Sequence, residues 1–212
     1  RIAFYNCKFR SFQDTWMTTT RDADRHYVKE CWLEGAVDYF YGGGNALVEE
    51  STLYNVRSGS VIVAPCHESV KYGYVFRNCV IDGNEQAADG KLKLGRPWHN
   101  SPKAVYINTL VKIPLAPEGW TNMGTIPALF AEYNSMDMNG KTLDLSWRKT
   151  EYETGGKEKR KVECRATITS NEAALYTYEY IIKSKDGWDP RSMMEQLPAP
   201  AHIRWEQDGL KW

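Results

Sequence analysis

The chain has 212 residues with 27 basic and 27 acidic side chains, so its formal net charge is zero. Balanced charge gives no electrostatic basis for binding nucleic acid or an anionic membrane, and the sequence contains no apolar run long enough to span a bilayer. The length favours one elongated domain with a full core. The content of 8 Trp and 13 Tyr is high for a neutral protein, and aromatic side chains in loops often stack on sugar rings.

The first two predicted elements are similar to each other. In each, a cysteine precedes an aspartate by seven residues: Cys7 and Asp14, then Cys31 and Asp38. Both residue types recur after 24 residues (31 − 7 and 38 − 14). If the segments are successive coils of a solenoid, the carboxylates lie one rung apart, at a backbone spacing of roughly 4.7–4.9 Å. Two acids at that spacing do not both ionise easily, which favours acid/base or nucleophilic chemistry.

Further short runs rich in β-branched and aromatic residues follow at intervals of 20 to 30 residues, each with a turn rich in Gly, Asn, Asp or Ser: 46–53, 74–81, 104–111 and 128–134. An antiparallel sandwich also has many short strands. It would not explain why a small residue recurs at one point of each run. The irregular spacing therefore predicts an all-β, right-handed parallel β-helix, in which turns vary in length while strands stay in register.

The recurring small residue predicts an inward-facing ladder made by Cys7, Cys31, Ser51, Cys79 and Thr109, with Tyr133 aligned to the same position. Cysteines stacked on adjacent parallel strands seldom reach disulfide geometry, so we expect these thiols to be reduced and buried. The two remaining cysteines, at positions 66 and 164, lie outside the ladder, and their pairing is left open.

The pattern changes after position 139. It predicts coils over 1–139 and a C-terminal segment over 140–212 that packs back on them. Within this segment, 143–147 is strand-like, a helix begins near 169–174 with Ser or Asn as its cap, and an extended tail starts at Pro198.

The candidate chemistry lies in four short segments, 13–15, 35–42, 94–98 and 118–120. Asp38 has apolar and aromatic neighbours, which favour a shifted carboxyl pKa. Arg96 stands on a Gly/Pro turn, where a guanidinium can be fixed for bidentate contact with a carboxylate. Taken singly, Asp14 fits a turn, Arg96 a surface salt bridge and Trp98 edge packing, so the interpretation depends on their combination. The sequence has no CxxC or HxxxH spacing, and its four histidines are scattered, so no metal site is predicted.

Three motifs, in chain order, resemble those of the pectin methylesterases (pectinesterases). Gln13-Asp14-Thr15 matches the family's Gln-Asp-Thr, Asp38-Tyr39-Phe40-Tyr41-Gly42 its Asp-Phe-Ile-Phe-Gly, and Leu94-Gly95-Arg96-Pro97-Trp98 its Leu-Gly-Arg-Pro-Trp. The family consists of right-handed parallel β-helix enzymes that hydrolyse galacturonate methyl esters of homogalacturonan to carboxylate and methanol. The resemblance implies this fold and reaction, with no metal and no cofactor.

The resemblance also implies a role for each matching residue. Asp38 would be the nucleophile, forming an acyl-enzyme anhydride. Asp14 would be the general acid that protonates departing methanol and then the base that activates water. Gln13 would help hold the oxyanion, and Arg96 would keep Asp38 ionised and oriented.

Three aromatic residues, Trp98, Tyr39 and Phe40, would line the sugar subsites. The implied partner is methyl-esterified pectin, bound by a protein that is secreted or periplasmic and monomeric at full length. The implied partners include neither nucleic acid nor a membrane.

The departures from the family concern single positions and one absence. Trp16 replaces the usual Leu, Tyr39 and Tyr41 replace Phe, and 42–44 (Gly-Gly-Gly) resembles bacterial members. The family's second oxyanion glutamine lies about one coil before the Gln-Asp-Thr motif, which this chain does not reach. We expect the chain to be the C-terminal two-thirds of a catalytic domain whose N-terminal coils are missing.

Two other function classes remain open from the sequence. One is a β-helix that binds pectin or serves a structural role without turnover. The other is a different β-helix enzyme, a lyase or polygalacturonase. A lyase needs an acidic Ca²⁺ cluster or a Lys/Arg base, and a polygalacturonase shows Asn-x-Asp, Asp-Asp and Gly-His-Gly segments, which are not evident in this sequence.

Overall fold

The structure is a computed structural model that describes residues 1–196, 204–206 and 209–211. Its strands, in chain order, are β1 (Ile2–Tyr5), β2 (Lys8–Arg10), β3 (Trp16–Met17), β4 (Arg25–Lys29), β5 (Trp32–Gly35), β6 (Val37–Gly42), β7 (Asn45–Glu49), β8 (Thr52–Asn55), β9 (Val61–Pro65), β10 (Tyr74–Arg77), β11 (Val80–Gly83), β12 (Lys93–Gly95), β13 (Lys103–Ile107), β14 (Leu110–Val111), β15 (Leu129–Tyr133), β16 (Glu151–Glu153), β17 (Lys161–Glu163), β18 (Arg204–Glu206) and β19 (Gly209–Lys211). The helices are α1 (Ser170–Ala173), α2 (Tyr178–Ile181) and α3 (Pro190–Gln196). None of these helices has the length and apolar character that crossing a membrane requires, a finding limited to the described residues.

Three parallel sheets wind into a β-solenoid, which confirms the predicted fold class. Sheet A has the order β1-β4-β7-β10-β13-β15, sheet B the order β14-β11-β8-β5-β2, and sheet C the order β12-β9-β6-β3. The first four coils each contribute one strand to each of the three sheets in turn, and the later coils to fewer, so strands that neighbour each other in space are separated in sequence by a whole coil. The short parallel strands are buried against the coils above and below, which explains their β-branched and aromatic composition.

A left-handed residue separates sheet A from sheet B in each coil. These residues have φ between 50° and 54°: Asn6, Glu30, Glu50, Asn78, Asn108 and Asn134. Every run read from the sequence as one strand, except 128–134, is therefore two short strands with a corner between them. Asn tolerates the left-handed region, and the three C-terminal asparagines form a ladder in which Asn108 Nδ2 donates to Asn78 Oδ1 (3.1 Å) and Asn134 Nδ2 to Asn108 Oδ1 (2.9 Å).

The ladder of small residues follows this corner, as the sequence predicted. The backbone N–H of Cys7 donates to Cys31 Sγ (3.3 Å), and that of Cys31 donates to Ser51 Oγ (3.0 Å). All five cysteines are free, including those at positions 66 and 164. The last rung of the prediction is wrong, because the N–H of Met136 bonds to the carbonyl of Thr109 and so places Ser135, two residues after the expected Tyr133, on the ladder.

Aromatic side chains fill the interior from coil to coil. Trp16 meets Phe40 edge-on with ring centroids 4.8 Å apart, and Phe40 lies 5.4 Å from Phe76. Phe76 then stacks on Tyr106 at 4.6 Å. Burial of each such side chain contributes roughly 1.5–3 kcal/mol, so the stack stabilises the coils that carry the candidate site.

The C-terminal segment covers the outer face of sheet A. Side chains of α1, α2 and the preceding residue Ile168 join one apolar cluster with those of sheet A: Tyr27, Leu47, Val75, Val105, Ile168, Ala173, Tyr178, Ile181 and Ile182. From α3, Arg191 Nη2 donates to Glu49 Oε2 of β7 (2.7 Å). This packing anchors the segment against the coils.

Two sequence predictions in this segment need correction and one is outside the described residues. The strand over 143–147 is wrong, because this stretch ends in a turn at Ser146 and Trp147. A helix does begin where predicted, but its cap is Thr169, in a capping box with Glu172. The extended tail predicted from Pro198 begins outside the residues that the structure describes.

Candidate active site

A bulge in β6 places Asp38 at the boundary between sheets B and C. Three residue steps in β6, from Val37 to Phe40, match two in β9, and Asp38 within this bulge has a left-handed φ of 48°. The extra residue bends the strand locally and redirects side chains. Asp38 is 7 % exposed, so its carboxylate is almost withdrawn from water.

The bulge depends on Gly35, at the end of the preceding strand β5. A Cβ on Gly35 would lie 2.3 Å from Tyr39 Cβ and 3.0 Å from Thr15 Oγ1. Thr15 Oγ1 itself donates to the carbonyl of Glu34 (2.9 Å) and so ties the first acidic coil to the second. The absence of a side chain at position 35 therefore lets the Tyr39 side chain occupy that space. Sequence reasoning did not single out this glycine.

A guanidinium fork holds the Asp38 carboxylate. Arg96 Nε donates to Asp38 Oδ1 (2.9 Å) and Nη2 to Oδ2 (2.5 Å). The bidentate geometry predicted for the Gly/Pro turn is therefore present. Paired, parallel N–H···O bonds fix the plane of the carboxylate as well as neutralising its charge.

The second acid, Asp14, lies on the adjacent coil, as its 24-residue offset predicted. Gln13 bridges Val37 in parallel register, and the N–H of Asp14 donates to the carbonyl of Val37 (3.0 Å). Asp14 also has a left-handed φ, of 52°. Asp14 is exposed, but desolvation by the groups around its carboxyl and the negative charge of Asp38 raise its pKa, and the Arg96 guanidinium opposes this shift. Two adjacent coils thus present carboxylates in unequal environments: Asp38 is buried and held by a guanidinium, whereas Asp14 is exposed and has a raised pKa.

Gln13 is exposed and stands on the rung beside Val37. Gln13 therefore directly precedes Asp14 in sequence and pairs with Val37, the residue before Asp38. Its assignment as an oxyanion donor stays a prediction.

The aromatic side chains near the acids differ from the prediction at two positions. Tyr39 and Phe40 are fully buried, so neither can line a sugar subsite. The Tyr39 hydroxyl donates to Asn55 Oδ1 (3.2 Å), and the Phe40 ring packs in the interior stack. Trp98 is half-buried, and its ring meets that of Tyr41 edge-on at 5.9 Å.

Tyr41, half-buried beside Trp98, is an aromatic residue that the sequence did not lead us to assign to a sugar subsite. Strand alternation contained a signal, because adjacent residues such as Tyr39 and Phe40 do not both face outward from a regular strand. Alternation alone could not select Tyr41, since the bulge at Asp38 shifts the pattern by one residue.

The described part of the chain contains no group of three or more His, Cys, Asp or Glu side chains arranged to hold a metal ion.

Comparison with known proteins places this arrangement in a family. The family model described as pectinesterase matches residues 1–183. Pectinesterase 31 of Arabidopsis thaliana is 37 % identical over 139 residues, which cover 63 % of this chain and 42 % of that protein. The chain spans about half the length of the curated relatives it matches, with 42 %, 51 % and 46 % of three of them covered.

Solved structures share the fold. The pectin methylesterase of Aspergillus niger in deglycosylated form matches with a TM-score of 0.60 and 28 % identity, over 69 % of this chain and 48 % of that one. A pectin methylesterase in complex with a hexasaccharide matches in fold with a TM-score of 0.64 at 20 % identity, over 92 % of this chain and 58 % of that one. The likeness to bacterial members stays a prediction, whereas the matched family model establishes that this chain belongs to the pectinesterase family.

Proposed function

We propose that this site hydrolyses the methyl esters of galacturonate in homogalacturonan, giving a free carboxylate and methanol. The observation that carries the proposal is the Arg96 fork on Asp38, with Asp14 one rung away. A carboxylate fixed in orientation beside a carboxyl group whose pKa is raised provides a nucleophile and a proton donor at one place.

In the first half of the reaction, one Asp38 oxygen attacks the ester carbonyl carbon. The tetrahedral intermediate collapses to an acyl-enzyme anhydride, and the methoxy group leaves with the proton of Asp14 as methanol. Gln13 is proposed to stabilise the oxyanion of the intermediate by hydrogen bonding. The raised pKa of Asp14 suits a group that must hold a proton until the leaving group departs.

In the second half, water attacks the anhydride. Asp14, now a carboxylate, takes a proton from this water, the anhydride bond breaks, and Asp38 is regenerated as a carboxylate while the galacturonate carboxyl is released. Arg96 holds the regenerated carboxylate in its original plane, so each turnover starts from the same geometry.

The sugar-binding surface is proposed to include Trp98 together with Tyr41, in place of the buried Tyr39 and Phe40. The Trp98 and Tyr41 rings meet edge-on, Trp98 two residues after Arg96 and Tyr41 three after Asp38, and an aromatic face is a common platform for a sugar ring. A relative in fold is a pectin methylesterase with a bound hexasaccharide, which supports a saccharide ligand here. Because pectin lies outside cells, we propose that the protein acts in an extracellular compartment. We also propose that the chain divides into coils over 1–139 and a C-terminal segment over 140–212.

One assay tests the function and separates the alternatives. Methyl-esterified homogalacturonan is incubated with the purified protein, and both methanol and new reducing ends are measured. The proposal expects methanol without new chain ends. New chain ends or unsaturated products would indicate a polygalacturonase or lyase, and binding without methanol would indicate a non-catalytic β-helix.

A further inference from the structure

We propose that Ala64 is a positioning residue: its small side chain leaves a passage over β9, through which Arg96 and Trp98 reach their partners on β6. The inference rests on the proposed function for its catalytic consequence, and on the packing of sheet C for its structural part.

Two contacts of the site skip a strand. Sheet C has the order β12-β9-β6, so the chain just after β12 lies two strand spacings, roughly 9–10 Å, from β6. Yet Arg96 Nε and Nη2 donate to the Asp38 carboxylate at 2.9 and 2.5 Å, and the ring centroids of Trp98 and Tyr41 are 5.9 Å apart. Both side chains must therefore cross β9 on its outer face.

Ala64 is the β9 residue at this crossing. It pairs with Tyr41, whose ring contacts Trp98 on the outer face, and paired residues of neighbouring parallel strands point the same way. On the other side, the N–H of Arg96 donates to the carbonyl of Val63 (3.0 Å), which places Arg96 beside Ala64.

Burial supports this position. Ala64 faces outward but is only 2 % exposed, so other side chains cover it. We attribute this cover to the Arg96 and Trp98 side chains, because their partners on β6 lie beyond β9. A longer side chain at position 64 would project into the space that the crossing side chains occupy.

Gly95 lets β12 approach β9 closely, which shortens the distance that Arg96 and Trp98 must span to reach β6. A Cβ on Gly95 would lie 2.4 Å from Val63 Cγ2, so β12 can approach β9 at this point only without a side chain. The small residues at positions 95 and 64 thus have different tasks: the first lets the strands approach, and the second leaves the outer face clear.

The test is a double-mutant cycle of Ala64→Leu with Arg96→Ala, read out as the kcat of methanol release. Because a misplacement of about 1 Å can cost about 10²-fold, Ala64→Leu should lower kcat at least about tenfold in the wild-type background. In the Arg96→Ala background it should change kcat by less than about twofold, since Arg96, through which it acts on Asp38, is already gone and Trp98 belongs to the proposed sugar-binding surface, where a shift would change KM. Thr52→Leu, which adds bulk at a half-buried position of the middle strand β8 in sheet B, serves as the control and should leave kcat within about twofold.

The urea midpoint of unfolding gives a second readout that is independent of catalysis. Leucine at position 64 should lower the midpoint more when Arg96 is present than in the Arg96→Ala protein, where Trp98 alone still crosses β9 and the passage has more room. If Ala64→Leu does not fold, Ala64→Val, with two added carbons, is judged by the same criteria.

Equal losses of kcat in the two backgrounds, or a change below about threefold from Ala64→Leu alone, would overturn the positioning role. A protein without methanol release would overturn the proposed function instead. In that case the urea midpoints of the double-mutant cycle still test the structural part. A loss from Ala64→Leu that shrinks when Arg96 is replaced by alanine supports the passage, and an equal loss in both backgrounds refutes it.

Discussion

Replacement of Arg96 by lysine tests the central geometry of the site while keeping the positive charge. The arginine donates from two nitrogens to the two oxygens of Asp38, at 2.9 and 2.5 Å. A lysine ammonium is a point charge on a flexible stem and cannot reproduce this planar fork. We expect Arg96→Lys to keep at most one of the two bonds and to free the plane of the carboxylate.

The size of the effect follows from the lost bond. A hydrogen bond to a charged group contributes about 1.5–3 kcal/mol. The side chains of Arg96 and Asp38 are 29 % and 10 % exposed, so solvent screens this pair less than a surface salt bridge. If the lost bond acts fully in the transition state, kcat should fall about 10- to 150-fold.

The assay compares kcat of methanol release for the wild type and Arg96→Lys, with circular dichroism melting as the check on folding. Arg165→Lys is the matched control, because Arg165 forms an exposed ion pair with Glu172 on the C-terminal segment. Exposed pairs contribute only about 0–1 kcal/mol, so this control should stay within about twofold. A rate for Arg96→Lys within about twofold of wild type would show that the fork does not position the nucleophile.

Three further predictions follow from the site and the core. Asp38→Asn removes the attacking charge at nearly constant volume and should lower methanol release by several orders of magnitude, and retention of more than a tenth of the wild-type rate would refute the nucleophile assignment. Gly35→Ala places a Cβ 2.3 Å from a buried tyrosine and should lower the free energy of unfolding by about 1–3 kcal/mol in urea titrations. Gly155→Ala, whose Cβ would meet its nearest atom at 3.6 Å, should change it by less than about 0.5 kcal/mol, and equal effects would contradict the packing argument. Burial lowers the pKa of His26 and of His67 from 6.5 to about 4. The folded state therefore binds fewer protons than the unfolded state between these values, and the stability due to the neutral imidazoles should be lost as the pH falls from about 6.5 towards 4. His26→Phe should flatten this fall in the urea midpoint, and an unchanged pH profile would count against the assignment.

Much of the site could be predicted from the sequence because a solenoid converts sequence spacing into spatial proximity. The offset of 24 residues between Asp14 and Asp38 places them on adjacent rungs, whatever the details of the turns. The Gly/Pro turn around Arg96 indicated a fixed guanidinium, and the fork is present.

The corners between sheets A and B and the bulge in β6 could not be predicted from sequence spacing. Every run that alternated like one strand, except 128–134, proved to be two, because an asparagine or glutamate in the left-handed region turns the chain from sheet A to sheet B. Likewise, 143–147 alternates like a strand but ends in a turn, since local alternation does not specify a partner strand.

The sequence by itself thus determined the parallel β-solenoid, the acidic pair and its arginine. Only the tertiary structure decided which aromatic side chains are buried and how Arg96 reaches its partner. A single extra residue in β6 buries Tyr39 and Phe40 and leaves Tyr41 at the surface. The contact between Arg96 and Asp38 crosses β9, a strand of the coil between them. Sequence spacing does not show which β9 residue lies at that crossing. The physical reason is that register and close approach between strands are set by packing between coils, which the residues of one coil do not specify.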